Sequence, residues 1–129
     1  MTERLNPPAV PQPAGPYAQG VVAAGPGRWL HVSGQIGVQA DGTLAEGAAA
    51  QATVAWRNLV AVLAAAGMDT GDLVKVTTYL VDDADLPAVQ AVRAGFLGEA
   101  RPASTLVVVK ALARKEWLFE VEAVAFRSA

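Results

Sequence analysis

Hydrophobic periodicity divides the first half of the chain into two short strands and a helix. Residues 21–24 and 29–36 are apolar runs on either side of a Gly-Pro-Gly turn at 25–27, and we expect them to pair as a hairpin. From Ala48 onward, apolar residues recur every three or four positions, which predicts an amphipathic helix that ends at Gly67. Its apolar face consists of Ala52, Trp56, Leu59, Leu63 and Ala66.

The second half continues the alternation of strands and helices. Residues 73–81 are rich in Val, Thr and Tyr, which favours a strand. A second helix is predicted from an N-cap at Asp85, with Pro87 in its first turn, to Gly98. Its apolar face consists of Leu86, Val89, Val92 and Phe96. Residues 105–111 and 117–126 form the last two predicted strands, joined by a polar turn at 114–116.

The order β-β-α-β-α-β-β predicts an α+β fold with one sheet and both helices on one face. A length of 129 residues suits a single domain, residues 1–129. Five prolines between positions 7 and 16 predict an extended arm over residues 1–16. No predicted helix covers the second face of the sheet, so this face must be polar or buried against another subunit.

Composition excludes several function classes. The chain has no cysteine and one histidine, so disulfides, thiolate metal sites and cysteine nucleophiles are excluded, and we expect no metal or cofactor. A net charge of −2 offers no electrostatic surface for nucleic acid. No apolar run reaches the ~20 residues of a membrane span, and the N-terminus does not look like a signal peptide. With only 17% charged residues, we expect a cytoplasmic homo-oligomer that binds a small molecule.

Two glutamates on the last predicted strand are candidates for acid–base chemistry. Glu120 and Glu122 are two residues apart, so their side chains point to the same face, while Phe119 and Val121 point to the other. One interpretation is a solvated strand face. The other is that the helix-free face forms a subunit interface, where partial burial would raise a carboxyl pKa into a range useful for proton transfer.

Three further segments carry candidate binding residues. Gly34, beside Ser33 at a strand end, either allows a ligand close to the backbone or marks a bulge. Tyr17, in the proline-rich arm, either anchors the arm or turns its hydroxyl toward a cleft. Arg101, in the loop before a strand, either binds a carboxylate or is solvated.

Five sequence blocks resemble the Rid (YjgF) family of small enamine and imine deaminases. They are GPYAQG at 15–20, VSGQI at 32–36, AAAG at 64–67, VKVTTYLVD at 74–82 and FEVEAVA at 119–125. Their order and spacing match the family over about residues 13–126. The resemblance implies a chorismate-mutase-like fold and a homotrimer around a central β-barrel, with a cleft between each pair of subunits.

The resemblance also implies roles for individual residues and one departure. In the family's deaminases, the glutamate matching Glu120 activates water, the tyrosine matching Tyr17 closes the pocket, and the serine matching Ser33 lies in the same cleft. An arginine that holds the substrate carboxylate is replaced here by Ser104, and a cleft asparagine is replaced by Gln90. Losing such an arginine would cost about 2–4 kcal/mol of substrate binding.

The leading hypothesis is therefore a trimeric hydrolase acting on small imines or enamines. Catalysis would rest on Glu120 and Tyr17, while Ser33, Gly34 and backbone amides near Leu106 would hold the substrate. The remaining predicted contacts are Gln90, Ser104 and Arg101, the last as a substitute for the missing arginine. The alternative is a trimer that binds or senses a metabolite without changing it. The ribonuclease activity attributed to the family fits an acidic chain poorly.

Overall fold

The computed structural model describes all 129 residues, arranged as six strands and two helices. The strands are β1 (Thr2–Leu5), β2 (Gly20–Ala23), β3 (Gly27–Ile36), β4 (Leu73–Leu80), β5 (Ala103–Val108) and β6 (Phe119–Ser128). The helices are α1 (Ala48–Ala65) and α2 (Leu86–Leu97), and short 3-10 turns span Thr70–Asp72 and Asp83–Asp85. Both predicted helices and the strands from β3 onward are confirmed within a few residues.

The main sheet has four strands in the order β3-β6-β4-β5. β6 pairs antiparallel with both β3 and β4, whereas β4 and β5 run parallel and are connected through α2. A parallel pair requires such a crossover, and both helices pack on the same face. The predicted α+β class is confirmed, and the other face carries no helix.

The first predicted strand has a different partner from the one expected. β2 pairs with β1 in a separate two-stranded sheet, with Thr2 opposite Ala23 and Leu5 opposite Gly20, so the predicted hairpin with β3 is not formed. All prolines of the arm lie at or beyond Pro7. Residues 2–5 therefore keep every backbone amide donor and can form a strand, which the proline content of the arm concealed.

The hydrophobic core lies between the sheet and the two helices. Trp56 of α1 is fully buried and stacks on Phe96 of α2, with ring centroids 5.9 Å apart. The other large residues of the core come from α1, β4 and β6: Leu59, Leu63, Val76, Leu80, Phe119 and Val121. Burying each such side chain stabilises the fold by about 1.5–3 kcal/mol, so this layer fixes how the sheet is placed.

A buried glutamine of α1 fixes the start of β6. The Gln51 side-chain amide donates to the carbonyls of Ala45 and Glu116, both at 3.1 Å, and its oxygen accepts from the Leu118 amide at 2.8 Å. A Cβ at Gly37 would lie 2.6 Å from Gln51 Cγ, so glycine is required for this approach. Because Leu118 is two residues before Glu120, this network sets where that carboxylate emerges.

Candidate functional site

The open face of the sheet carries a cluster of polar side chains. Glu120 and Glu122 of β6 point away from the helices and are half-buried, while Phe119 and Val121, which alternate with them along the strand, are buried in the core. The strand alternation therefore places the two carboxylates on one face, as predicted. Tyr79 of β4 is the register partner of Glu120 and points to the same face.

The Glu120 side chain lies across a bulge in β3. The pairing of β3 with β6 shifts register between Val32 and Gln35, so Ser33 and Gly34 form the bulge. A Cβ at Gly34 would lie 2.8 Å from Glu120 Cδ and would overlap the carboxylate itself. The bulge interpretation of Gly34 is thus supported, and the group that approaches the glycine backbone is the Glu120 carboxylate.

The surroundings of Glu120 make its carboxyl group a better proton acceptor. Partial burial raises the pKa of Glu120, and the nearby Glu122 carboxylate raises it further. The Tyr79 hydroxyl donates a hydrogen bond to Glu122 Oε1, which is the main reason that the pKa of Tyr79 is raised. Glu122 is therefore engaged by a donor, while Glu120 makes no side-chain hydrogen bond and faces a shallow cavity of about 260 Å³.

A second cleft of about 390 Å³ lies between the N-terminal arm and α2. Tyr17 and Gln90, both predicted as site residues, line it. The arm is held in place because the Ala18 amide donates to the Pro102 carbonyl at 3.0 Å, and Ala18 bridges to Ala103 at the start of β5. Tyr17 accepts a hydrogen bond at its hydroxyl from the Ala14 amide, at 3.3 Å, so it both anchors the arm and faces the cleft.

Three of the predicted contacts lie outside this cleft. Arg101 donates through Nη1 to the carbonyls of Gly98 (2.7 Å) and Ala100 (2.8 Å), and so caps the end of α2. Ser104 and Leu106 pair with core-facing residues of β4, so their side chains point to the helix-covered side of the sheet. None of the three lines the cleft that contains Tyr17.

One chain does not bring all the predicted residues together. Tyr17 and Gln90 lie beside α2, on the helix-covered side, whereas Glu120 and the exposed Ser33 lie at the open face. The sheet separates the two groups. Within one chain, Glu120 and Tyr17 therefore line different cavities.

Sequence reasoning missed one residue of the α2 cleft. Arg93 lines it and is buried, at 7% exposure. The signal was its position: Val89, Arg93 and Leu97 follow each other at intervals of four residues and form the buried stripe of α2. An arginine in the middle of such a stripe is unusual, because charged side chains are seldom buried without a partner.

No group of three or more His, Cys, Asp or Glu side chains is placed to hold a metal ion. Neither helix is both long and apolar enough to cross a membrane.

Comparison with solved structures identifies the fold. A protein of unknown function of the conserved Rid protein family, YyfB from Yersinia pestis, superposes with a TM-score of 0.85 at 33% identity, covering 96% of this chain and 97% of its own. TdcF of Escherichia coli, solved with bound serine, superposes with a TM-score of 0.73 at 32% identity, covering 98% of this chain and 99% of its own. This protein thus has the α+β fold of the Rid proteins.

Sequence comparison identifies the family. The family model described as Endoribonuclease L-PSP matches residues 8–127. A 2-iminobutanoate/2-iminopropanoate deaminase of Salmonella typhimurium is 38% identical over 121 residues, and a RutC family protein of Pyrococcus horikoshii is 37% identical over 119 residues, each match covering 91% of both chains. The chain belongs to this family, and the resemblance to Rid proteins is confirmed.

Proposed function

We propose that the protein is a deaminase that hydrolyses small 2-imino acids to 2-oxo acids and ammonia, working as a homotrimer with a site between adjacent subunits. The observation that carries the proposal is the Glu120 carboxyl group, half-buried over Gly34, with a raised pKa and no side-chain hydrogen bond. The 38% identity to a protein named 2-iminobutanoate/2-iminopropanoate deaminase supports the same chemistry.

The separation of Glu120 from Tyr17 supports a site shared between subunits. A neighbouring copy that covers the open face would place its arm and α2 cleft against Glu120. Apolar side chains exposed beside that face fit such a contact: Trp29 at the β3 edge and Val107 on β5 are 53% and 39% exposed. Cyclic symmetry would repeat the same contact between every pair of subunits.

The proposed reaction uses Glu120 as both proton acceptor and proton donor. Glu120 takes a proton from water as the water oxygen attacks the imine carbon, and the C=N bond becomes a C–N single bond. The protonated carboxyl then returns the proton to the nitrogen. Glu120 next takes the remaining proton of the new hydroxyl group and passes it to the nitrogen, so the carbonyl forms, the C–N bond breaks and ammonia leaves. A carboxyl whose pKa is raised toward neutral performs both transfers better than an ordinary glutamate.

The test of this reaction is ammonia release from 2-aminoacrylate, generated enzymatically and left to tautomerise to the imine. We expect the wild type to accelerate release above the buffer rate and Glu120→Gln to return it to that rate. Glu46→Gln is the matched control, because Glu46 is exposed in the loop before α1. Full activity in Glu120→Gln would refute the assigned role of Glu120.

Mixing two inactive variants tests the shared site. In trimers assembled from Glu120→Gln and Tyr17→Ala chains, about a quarter of the interfaces would combine an intact Glu120 with an intact Tyr17. We therefore expect co-expression to restore part of the activity that neither variant has alone, and light scattering to give a trimer mass. No recovery in verified mixed trimers would contradict an intersubunit site.

A second candidate function is metabolite binding without turnover, and Ser104 is the observation that favours it. A serine side chain cannot make the bidentate carboxylate contact of the arginine that the family resemblance implies at this position. Ligand-induced stabilisation, followed by recovery of the chemically unchanged ligand, would favour this function over the deaminase. Ser104→Arg then asks whether the arginine alone restores ammonia release.

A further inference from the structure

Arg93 is a buried cation without a charged partner. It is 7% exposed at the centre of α2, and its Nε has no hydrogen-bond partner. Its one hydrogen bond is a long contact of 3.5 Å from Nη2 to the Pro16 carbonyl. The ion pairs of the protein involve a different arginine, Arg127, with Asp69 and Asp72.

The surroundings leave the positive charge of Arg93 uncompensated. Burial lowers the pKa of this guanidinium; Tyr17 opposes that effect, and the positive charge of Arg101 adds to it. Those two side chains are the titratable groups that act on it, and neither is a carboxylate. A buried, unpaired charge is costly, and a bound anion would remove that cost.

The cleft around Arg93 fits a small ligand. Its volume of about 390 Å³ lies at the lower end of the range typical of small-molecule sites. Tyr17 and Gln90 also line it, and a hydroxyl and an amide are groups that can form hydrogen bonds with a ligand. Nε and Nη2 lie on one edge of the guanidinium, which is the edge that binds both oxygens of a carboxylate.

We propose that Arg93 binds the carboxylate of the substrate, replacing from α2 the arginine that β5 lacks at Ser104. The ligands that this site takes are small 2-imino and 2-oxo monocarboxylates. The imino acid as ligand rests on the proposed function, whereas carboxylate binding by Arg93 does not. Arg101 is less suited to this role because its Nη1 already donates to the carbonyls of Gly98 and Ala100.

Calorimetric titration with 2-oxobutanoate, a stable carboxylate with the shape of a reaction product, tests the proposal directly. We expect Arg93→Gln to weaken binding by about 10- to 100-fold, the usual effect of losing a charge-assisted contact. Arg93→Lys should fall in between, because lysine keeps the charge but not the two-pronged geometry. Arg57→Gln, which removes an exposed arginine on α1, is the control and should leave affinity unchanged.

Two further measurements separate binding from folding. Arg93→Met keeps the volume and removes the unpaired charge, so its melting temperature should equal or exceed that of the wild type while binding is lost. Methyl 2-oxobutanoate, which lacks the negative charge, should bind wild type and Arg93→Gln equally. Absence of 2-oxobutanoate binding to the wild type would overturn the proposal, as would binding that Arg101→Gln weakens and Arg93→Gln does not.

Turnover distinguishes the failure of this inference from that of the deaminase proposal. If Arg93 variants lose carboxylate binding while the wild type releases no ammonia, Arg93 is the carboxylate-binding residue of a non-enzymatic protein. If the wild type releases ammonia and Arg93→Gln keeps the same KM, the deaminase stands and the role of Arg93 is refuted. A raised KM in Arg93→Gln supports both.

Discussion

The two faces of the four-stranded sheet are built from alternate residues of the same strands but have opposite characters. On the helix-covered face, Val121 and Val76 are fully buried in an apolar core. On the open face, Glu120, Glu122 and Tyr79 of the same two strands form a polar cluster that no helix covers. The first face holds the fold together, and the second carries the candidate chemistry.

The difference shows how the fold accommodates a half-buried carboxylate. Helices α1 and α2 supply the packing energy on one side, so the open face does not have to be apolar for the domain to be stable. The backbone under Glu120 is set from the core side, through Gln51 and Leu118. The core therefore fixes the backbone position of Glu120, while its side chain lies on the open face, where a ligand or a second subunit can contact it.

The largest effect on stability should come from the covered face. Leu59 is fully buried between α1 and the sheet. We expect Leu59→Ala to lower the free energy of unfolding by about 2–5 kcal/mol, because it removes buried methyl groups and leaves a cavity. Arg57→Ala, on the exposed side of the same helix, should change it by less than about 0.5 kcal/mol. Urea unfolding measures both, and equal effects would mean that the covered face does not dominate stability.

The sequence predicted the covered face better than the site. Periodicity identifies Trp56 and Leu63 as core because burial on a helix depends on local spacing. The two-residue alternation of a strand placed Glu120 and Glu122 on one face. Arg93 was missed because an apolar-face prediction counts only apolar residues. The bulge that brings Gly34 against Glu120 depends on the pairing of two strands far apart in sequence, which no local pattern specifies.

The pairing of β2 also depends on contacts between distant segments, which local sequence patterns do not specify. Its strand character was predictable from residues 21–24, but its pairing with β1 rather than β3 depends on where the arm folds back. Tyr17 was a candidate on sequence, and its position beside Gln90 follows from the bridge between Ala18 and Ala103. Local character was thus readable, whereas the contacts between distant segments required the structure.

The next largest effect, on ammonia release, should come from displacing the Glu120 carboxylate without changing the core. In Gly34→Ala the new methyl group occupies the space of the Glu120 carboxylate, which can swing away because it ends a flexible side chain. We expect ammonia release to fall by about 100-fold, since shifts of 1 Å at a reacting group have this effect. Gly20→Ala, whose Cβ would meet only ordinary contact at 3.9 Å, is the control.

Urea unfolding of Gly34→Ala should match that of the wild type, because the core is unchanged. A variant that keeps full activity would show that the position of Glu120 over the bulge is not needed for turnover. A variant that unfolds early would instead make the glycine a requirement of the fold.

Removing the second carboxylate should have a smaller effect, visible in the pH dependence of kcat/KM. The Glu122 carboxylate helps to raise the pKa of Glu120, so Glu122→Gln should lower that pKa. In the proposed reaction Glu120 acts as a base in its ionised form, so the acidic limb of the profile should move to lower pH. Glu46→Gln should leave the limb in place, and an upward shift in Glu122→Gln would contradict the assignment.

The smallest expected effect is on the melting temperature of Glu120→Gln, because half-burial of the ionised Glu120 carboxylate destabilises the folded state. Its folded-state pKa is raised above the ordinary value of 4.5, so the folded state binds the proton more tightly than the unfolded state. Below the ordinary pKa both states are protonated, and Glu120→Gln should melt at the same temperature as the wild type. As the pH rises through the raised pKa, the wild type loses stability that the variant keeps, so the variant should melt slightly higher at neutral pH. Calorimetry at about pH 4 and about pH 8 checks this, and a variant that melts lower at the higher pH would show that the ionised carboxylate is stabilised by a partner.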